Sequence, residues 1–312
     1  MSSGPAIDVR GISKHFASKI AVEKLNLAIL PNEIFGLVGP DGAGKTTTMR
    51  MLAGVLRPDQ GSIVIDGIDV VKSPDLAKEH FSYMPQRFGL YEDLTVDENI
   101  RFYADIFCIS ARQREERAAR LLAASDMARF RDRLAGQLSG GMKQKLGLTC
   151  ALIHTPKIVL LDEPTTGVDP VSRRDFWRIL YDLREEGVTI VISTAYLDEA
   201  ERCHRLALLH EGHLLQCDTP QALKAQMPGA ILLVASNNPR AARAVIAPLP
   251  GVTGTLLAGD NVRVTVDDAG RRLPQIAKAL ADSGVQFEPP HPAPTTIEDL
   301  FVILEKPVGV PA

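Results

Sequence analysis

Short apolar runs alternate with amphipathic stretches from the N-terminus to about residue 225, a pattern typical of alternating strands and helices. Two of the runs, Ile158–Leu161 and Thr189–Ile192, are rich in β-branched residues and show no polar alternation. This composition indicates strands that are buried on both faces, as in a parallel sheet. The other strand candidates in this part of the chain are Val9–Ile12, Leu25–Ile29, Ile34–Val38 and Ile63–Ile65.

The pattern becomes helical between about residues 88 and 150. Its apolar positions recur at helical spacing and predict three helices, over Asp97–Ile109, Ala111–Ser125 and Gly141–Ile153. We therefore predict that residues 1–225 form an α/β domain with a helical insert over about residues 88–150.

Residues 226–312 have a different organisation. A hairpin is predicted around Gly259-Asp260, and a helix and a strand are predicted on each side of it. The order β-α-β-β-α-β predicts a small α+β domain that is ferredoxin-like, followed by an extended Pro-rich stretch and a last helix from Thr295. The predicted elements are Ile231–Ser236, Pro239–Ala247, Val252–Leu257, Asn261–Val266, Gly270–Ser283 and Val285–Glu288.

Composition narrows the class of protein. The 312 residues are 45% hydrophobic and 23% charged, which is ordinary for a globular protein, and the net charge of −3 gives no electrostatic case for binding nucleic acid. The four cysteines form no C-x-x-C pair, so we expect reduced thiols in a cytosolic protein. The N-terminus has no secretory signal pattern, and no apolar run approaches the length of a membrane span. We therefore expect any membrane role to depend on a separate partner.

A glycine-rich loop follows the strand candidate Ile34–Val38 and precedes a helical run, Thr46–Ala53. It matches the phosphate-binding pattern G-x-x-x-x-G-K-S/T. The glycines allow backbone N–H groups to surround phosphate oxygens, the lysine is expected to reach the β- and γ-phosphates, and the Thr46 hydroxyl is expected to bind Mg²⁺. The predicted nucleotide-binding residues are Gly39, Pro40, Asp41, Gly42, Ala43, Gly44, Lys45, Thr46 and Thr47.

Two carboxylates end the apolar strand Ile158–Leu161. An acidic residue at such a strand tip lies beside the phosphate loop in nucleotide-binding sheets, so we expect Asp162 to hold Mg²⁺. We expect Glu163 to polarise the attacking water, a contribution of roughly 10²–10⁴ in rate for a general base.

The run Leu138-Ser139-Gly140-Gly141-Met142-Lys143-Gln144 opens a predicted helix. With this run in place after the phosphate loop, the sequence resembles the ATP-binding cassette (ABC) transporter ATPases, whose signature is LSGGQ-like. The resemblance is strong over residues 6–225 and implies a P-loop NTPase fold. It also implies that Ser139, Gly140 and Gly141 act across a head-to-tail dimer, on the nucleotide of the other subunit.

The resemblance assigns four further positions. Gln86, in Tyr83-Met84-Pro85-Gln86, matches the glutamine that touches Mg²⁺ and the attacking water, so the implied metal set is Thr46, Gln86 and Asp162. Asp169 matches the aspartate at the dimer interface, and Phe16 is where an aromatic residue stacks on adenine. The fourth position, Ala195, stands where the family has a switch histidine, which bonds the γ-phosphate and helps to hold the attacking water. Neighbouring histidines are expected at the surface: His204 in the helix that follows, and His213 in a turn.

Three functions remain open from the sequence. The first is an ATP-driven export subunit on the cytoplasmic face of the cell membrane, which works with a separate permease and with a second ATPase or a copy of itself. The stretch around Ala195 resembles the first half of tandem exporter ATPases, so we expect slow turnover here and a complementing site elsewhere. The residues after 226 resemble the accessory domain of daunorubicin-resistance-type exporters. The second function is a mainly non-hydrolytic regulatory subunit, and the third is a non-transport ABC ATPase. ATP and Mg²⁺ are the expected cofactors, and no nucleic acid partner is expected.

Overall fold

The computed structural model describes residues 4–87 and 89–304, and the chain divides into two units between Cys217 and Asp218. Phe88, at the start of the predicted insert, lies outside the described residues. In chain order, the elements of the first unit are β1 (Ile7–Phe16), β2 (Lys19–Ile29), β3 (Ile34–Val38), α1 (Lys45–Leu52), β4 (Gln60–Ile65), β5 (Ile68–Asp69), α2 (Pro74–Lys78), β6 (Phe81–Met84), α3 (Val96–Ile106), α4 (Ala111–Ala124), α5 (Gly140–Leu152), β7 (Ile158–Asp162), α6 (Pro170–Glu185), β8 (Thr189–Thr194), α7 (Leu197–Ala200), β9 (Arg205–His210) and β10 (His213–Asp218).

The larger sheet of the first unit has the strand order β10-β9-β3-β8-β7-β6. Strand β3 pairs in parallel with β8 and β9, and β7 pairs in parallel with β6 and β8. Every residue of β3, β7 and β8 is buried, which confirms the expectation of strands covered on both faces. Because parallel strands end at one edge of a sheet, the residues that follow β3, β7 and β8 come close together.

The second sheet of this unit is antiparallel, with the order β2-β1-β4-β5. One hydrophobic cluster contains side chains of both sheets and of α1, including Phe35, Met49 and Leu160. Helix α1, which begins directly after the glycine-rich loop, is thereby fixed against the core.

The helical insert consists of α3, α4 and α5. Helix α3 begins with a capping box, in which Thr95 and Glu98 each bond the other's backbone N–H. Helix α5 is buried along most of its length, including Lys145 and Thr149. It therefore packs as the central helix of the insert, with α3 and α4 against it.

The second unit contains α8 (Pro220–Ala225), β11 (Ala230–Ala235), α9 (Pro239–Ile246), β12 (Val252–Ala258), β13 (Asn261–Val266), α10 (Ala269–Ser283), β14 (His291–Ala293) and α11 (Ile297–Leu304). Its antiparallel sheet has the order β12-β13-β11-β14, and its core lies between β11, β13, α9 and α10. The domain boundary predicted at residue 225 assigns α8 to the first domain. In the structure α8 packs on α11 and belongs to the second unit.

One predicted strand of this unit is wrong. Residues Val285–Glu288 make only a single bridge, between Ser236 and Phe287. The fourth strand is β14, which lies in the Pro-rich stretch and pairs with Ile231–Leu233. The order β-α-β-β-α-β is therefore present, with its last strand a few residues later than predicted.

Candidate functional site

The carboxyl edge of the larger sheet brings the predicted chemical groups together. Val38 pairs with Thr194, and Asp162 pairs with Ser193, so three strands end side by side. The N–H of Gly39 donates to the carbonyl of Thr194 over 3.3 Å, which joins the glycine-rich loop to the end of β8.

The glycine-rich loop uses left-handed backbone where side chains are disfavoured. Gly42 has φ 84° and Gly44 has φ 100°, and a Cβ atom at Gly44 would lie 2.5 Å from the carbonyl oxygen of Ala21. Gly44 is also the residue before α1, so the unpaired N–H groups of the first helical turn face the loop. Such a loop on a helix N-terminus is an anion-binding arrangement.

Lys45 is the buried cation of this loop, with 4% of its surface exposed. Its Nζ donates to the carbonyls of Gly39 (2.8 Å) and Pro40 (3.0 Å). It also forms a salt bridge of 3.1 Å with Oε1 of Glu163. The ammonium group is therefore held between the loop and the catalytic carboxylate candidate.

The carboxylate of Asp162 is surrounded by hydroxyl groups. Its Oδ1 accepts from Thr46 Oγ1 at 3.1 Å and from Ser193 Oγ at 2.6 Å, and its Oδ2 accepts from Tyr83 at 3.4 Å. Burial raises the pKa of Asp162, although the bonds from Ser193 and Thr46 oppose that shift. Burial and the charge of Asp162 raise the pKa of Tyr83 to about 12. The hydroxyl of Thr46 and the carboxylate of Asp162 are the hard oxygen ligands that Mg²⁺ prefers, so these residues fit a magnesium ion.

Glu163 is held by several groups at the end of β7. Its φ of 48° lies in the left-handed region, which is uncommon for a residue other than glycine. The backbone N–H donates to Ser193 Oγ over 2.9 Å, and Oε2 accepts from Gln86 Nε2 at 2.9 Å. A carboxylate fixed in this way next to a phosphate loop is able to accept a proton from a water molecule.

These residues border a pocket of about 440 Å³. Phe16 is 49% exposed at its rim, where the ring is available for stacking. Gly39, Pro40, Ala43 and Asp162 lie behind the lining, as structural neighbours of it. The lining residues are Phe16, Lys19, Ala21, Asp41, Gly42, Gly44, Lys45, Thr46, Thr47, Gln86 and Glu163.

Ser139, Gly140 and Gly141 are not among the described residues that line this pocket. Ser139 caps α5 by accepting from the N–H of Met142 at 3.3 Å. Ser139, Gly140 and Asp169 are all exposed. Asp169 caps α6 by accepting from the N–H groups of Val171 (3.1 Å) and Ser172 (2.9 Å), and bonds from Ser172 lower the pKa of Asp169. The start of α5 packs against the start of α6, away from the nucleotide loop of its own chain.

Ala195 directly follows β8 and is half-buried. The prediction for His204 is wrong in one respect, because α7 ends at Ala200 and His204 lies in the bend before β9. His204 is exposed there, and its Nδ1 accepts from the N–H of Ile34 at 3.3 Å. His213 is an exposed residue at the start of β10. Neither histidine is among the described residues that line the pocket.

Sequence reasoning missed several residues of this site. Ser193 bonds both Asp162 and the backbone of Glu163, and Lys19 lines the pocket. The signal for Ser193 was a hydroxyl inside an otherwise apolar, β-branched strand. Nothing in the local pattern distinguished Lys19 from an exposed strand residue.

Comparison with known proteins places this geometry in a family. A family model described as ABC transporter matches residues 22–166. The Nod factor export ATP-binding protein I of Burkholderia thailandensis is 35% identical over 306 residues, covering 97% of this chain and 98% of that protein. The chain belongs to the ABC transporter ATP-binding proteins.

The cassette has a second, more similar relative. It is 47% identical over 264 residues to the probable multidrug ABC transporter ATP-binding protein YbhF of Escherichia coli. The match covers 83% of the cassette but 45% of that protein, so the cassette spans about half the length of this relative.

Solved structures give the same fold. A structure of the ATP-binding subunit of an ABC transporter matches the cassette with a TM-score of 0.65 at 29% identity, covering 71% of the cassette and 92% of that chain. The dimeric structure of MJ0796, a bacterial ABC transporter cassette, matches with a TM-score of 0.63 at 27% identity, covering 68% and 98%. The cassette is therefore a nucleotide-binding ATPase of the kind found in exporters. Among its described residues, no helix is long and apolar enough to cross a bilayer.

Proposed function

We propose that the cassette couples ATP binding and hydrolysis to export through a separate membrane permease, and that its own site turns ATP over slowly. The observation that carries the second part is Ala195. A methyl group stands beside the carboxyl ends of β3 and β7, at the position where the family has a histidine. An alanine side chain offers no hydrogen bond to a phosphate or to a water molecule.

In this proposal the residues of the pocket share the work on ATP. Backbone N–H groups from Gly39 to Thr47 and the ammonium of Lys45 bind the phosphates, and Phe16 stacks on the adenine. Glu163 accepts a proton from the attacking water, which Gln86 helps to orient through its contact with Glu163. Thr46 and Asp162, with Gln86, hold Mg²⁺, which when bound offsets the charge of the phosphates.

Two partners follow from the same proposal. The relatives named above are ATP-binding proteins of transporters, and the cassette contains no helix that crosses a bilayer among its described residues, so we propose peripheral attachment to a permease at the cytoplasmic face. The exposed Ser139 and Gly140, next to Asp169, are available to a second ATPase in a head-to-tail dimer. That partner is either another copy of the cassette or a different ATPase that has the histidine.

The test is steady-state ATP hydrolysis by the native cassette and by two variants. Ala195→His is expected to raise kcat tenfold or more with KM for ATP unchanged, because one preorganised group is typically worth about 10²–10³ in rate. Glu163→Gln is expected to abolish turnover in both backgrounds. Ala195→Leu is the matched control, since it adds bulk without a polar nitrogen, and it should leave kcat low.

Equal kcat for the native cassette and Ala195→His would contradict slow turnover and favour a self-sufficient homodimer. Native turnover that Ala195→His does not raise and that stays near zero would instead favour the mainly regulatory subunit, whose bound ATP stabilises a dimer.

A further inference from the structure

Glu199 is a fully buried carboxylate that has no part in the proposed handling of ATP. It lies on the short helix α7 and is 0% exposed. Its Oε2 accepts two hydrogen bonds, from Thr194 Oγ1 at 2.8 Å and from Thr165 Oγ1 at 3.0 Å. Removing a carboxylate from water is costly, so a glutamate that is buried to this extent needs the groups that pair with it.

The first of these groups fixes the turn that carries Glu163. Thr165 is itself buried, with 1% of its surface exposed, and lies two positions after Glu163. Its carbonyl accepts from the N–H of Val168, while the carbonyl of Glu163 accepts from the N–H of Thr166. The turn therefore starts from the left-handed backbone of Glu163, an unfavourable conformation that must be held by its surroundings.

The second group fixes the backbone on both sides of residue 195. The hydroxyl of Thr194 donates to Glu199 and accepts from the N–H of Tyr196 at 3.0 Å. Because the carbonyl of Thr194 also accepts from Gly39, this residue connects the phosphate loop with the segment that contains Ala195.

An arginine closes the network. The guanidinium of Arg173, in the first turns of α6, lies 4.2 Å from the centre of the Tyr196 ring, and its Nε lies 3.6 Å from Oε1 of Glu199. The N–H of Arg173 donates to the carbonyl of Asp169. The segments that contain Glu163, Asp169 and residue 195 thus meet around one carboxylate.

We propose that Glu199 is a positioning residue for ATP hydrolysis: its carboxylate holds Thr165 and Thr194 together, so that Glu163 and residue 195 keep one geometry relative to the phosphate loop. This inference rests on the proposed role of Glu163 as the group that accepts the proton. Glu199 touches neither the pocket nor the phosphates among the described residues, so it acts on the rate of the chemical step and leaves ATP binding unchanged.

The experiment compares single-turnover hydrolysis, KM for ATP and thermal stability in Glu199→Gln, in the native and the Ala195→His backgrounds. Glutamine keeps the size of the side chain but removes the charge that accepts from both threonines. We expect kcat to fall about tenfold in each background, with KM within twofold of its parent. The matched control is Asp198→Asn on the same helix. Asp198 also faces Arg173, at 3.7 Å, but is 66% exposed, and its variant should keep the parent kcat.

The threonines give a readout that a purely structural role would not move. Thr194→Val removes the hydroxyl at equal size and should lower kcat about as much as Glu199→Gln, whereas Thr194→Ser keeps the hydroxyl and should retain most of the activity. The double variant Glu199→Gln with Thr194→Val should lose no more than either single variant, because both remove the same bond.

Four results would overturn the inference: a raised KM with unchanged kcat, equal loss in Thr194→Val and Thr194→Ser, additive losses in the double variant, or turnover that does not depend on Glu163. The first three leave the proposed function intact, because Glu163→Gln would still be inactive. A lack of effect of Ala195→His, together with a tenfold loss in Glu199→Gln, would contradict slow native turnover and leave the positioning role standing.

Discussion

Ser193 shows how one small side chain organises two catalytic candidates. Its hydroxyl donates to Asp162 and accepts from the N–H of Glu163, so the orientation of both carboxylates depends on it. An alanine at this position would leave a buried carboxylate oxygen and a buried N–H with one partner fewer, which is the costly direction for a hydrogen bond.

His154 predicts a pH dependence of stability. Its ring stacks on Phe107, with centroids 3.8 Å apart and planes 9° from parallel, and burial lowers the pKa of His154 to about 4. The unfolded chain, with a histidine pKa of about 6.5, therefore binds more protons than the folded chain between these values, and stability must fall as pH drops through this window. From pH 7.5 to pH 5 we expect His154 to account for a loss of about 2 kcal/mol.

Urea unfolding of the native chain and of His154→Phe at these two pH values measures this contribution. Phenylalanine retains the stacking but does not titrate, so the variant should lose less stability on acidification. His213→Phe, at an exposed histidine, is the control and should keep the native pH dependence. An identical pH dependence in the native chain and His154→Phe would show that His154 does not contribute.

At the residue scale, the sequence is sufficient where the chemistry is local. The glycine-rich loop is one continuous pattern, so the sequence alone predicts that Lys45 and Thr46 lie at the phosphates, and both residues line the pocket. The positions of Glu199 and Ser193 could not be predicted, because their contacts depend on the pairing of β7 with β8 and on the packing of a helix of four residues.

At the element scale, the contact between α5 and α6 depends on one missing side chain. A Cβ atom at Gly141 would lie 2.6 Å from both Cβ and Oγ of Ser172. Gly141→Ala is therefore expected to cost about 1–3 kcal/mol of stability, since the two helix starts would have to move apart. Equilibrium unfolding in urea measures the difference.

Two further variants test the cause of that loss. In the double variant Gly141→Ala with Ser172→Gly the clashing atoms are absent, so most of the cost should disappear, apart from about 1 kcal/mol for glycine within a helix. Gly140→Ala is the matched control, because its nearest neighbour, the carbonyl of Gly167, would lie at 3.7 Å, an ordinary contact. Equal destabilisation by both alanines would exclude the clash as the reason.

The misplaced strand of the second unit has a physical explanation. The residues Val285–Glu288 have strand-like composition, while His291-Pro292-Ala293 contains a proline, which argues against a central strand. Strand β14, however, is at the edge of the sheet, where proline needs to donate no bond to a further strand. The sequence predicts that a strand is needed here but not which segment reaches the edge of β11.

At the scale of the whole molecule, two separate hydrophobic cores predict two unfolding transitions. One core contains Leu160 and Met49, and the other contains Leu280 and Val264. ATP at about 100 times its Kd should stabilise the unit with the pocket by about 2.7 kcal/mol. Leu280→Ala should destabilise the other unit by about 2–5 kcal/mol, because the leucine is fully buried.

Differential scanning calorimetry of the full chain, with and without ATP, measures both effects. We expect ATP to shift one transition and Leu280→Ala to shift the other, with nucleotide affinity unchanged in the variant. A single transition that responds to both would mean that the two cores unfold cooperatively.

The general architecture is accessible from the sequence because the order of elements restricts it. Alternating strands and helices with fully apolar strands leave little but a parallel sheet, and the structure has one. The order of strands within the sheet is not accessible in this way, because the neighbours of β3 are β8 and β9, which are far from it in the chain.

That strand order has a consequence for how the chain is made. Strand β3 is synthesised early, yet both of its neighbours begin only at Thr189 and Arg205. At about 5–20 residues per second, a ribosome leaves β3 without either neighbour for roughly ten seconds or more. During that time a strand with five buried residues in the finished protein has two open edges, which favours association with other chains. Newly made protein should therefore depend on chaperones that hold nascent chains, and slow decoding between β3 and β9 should lower its yield.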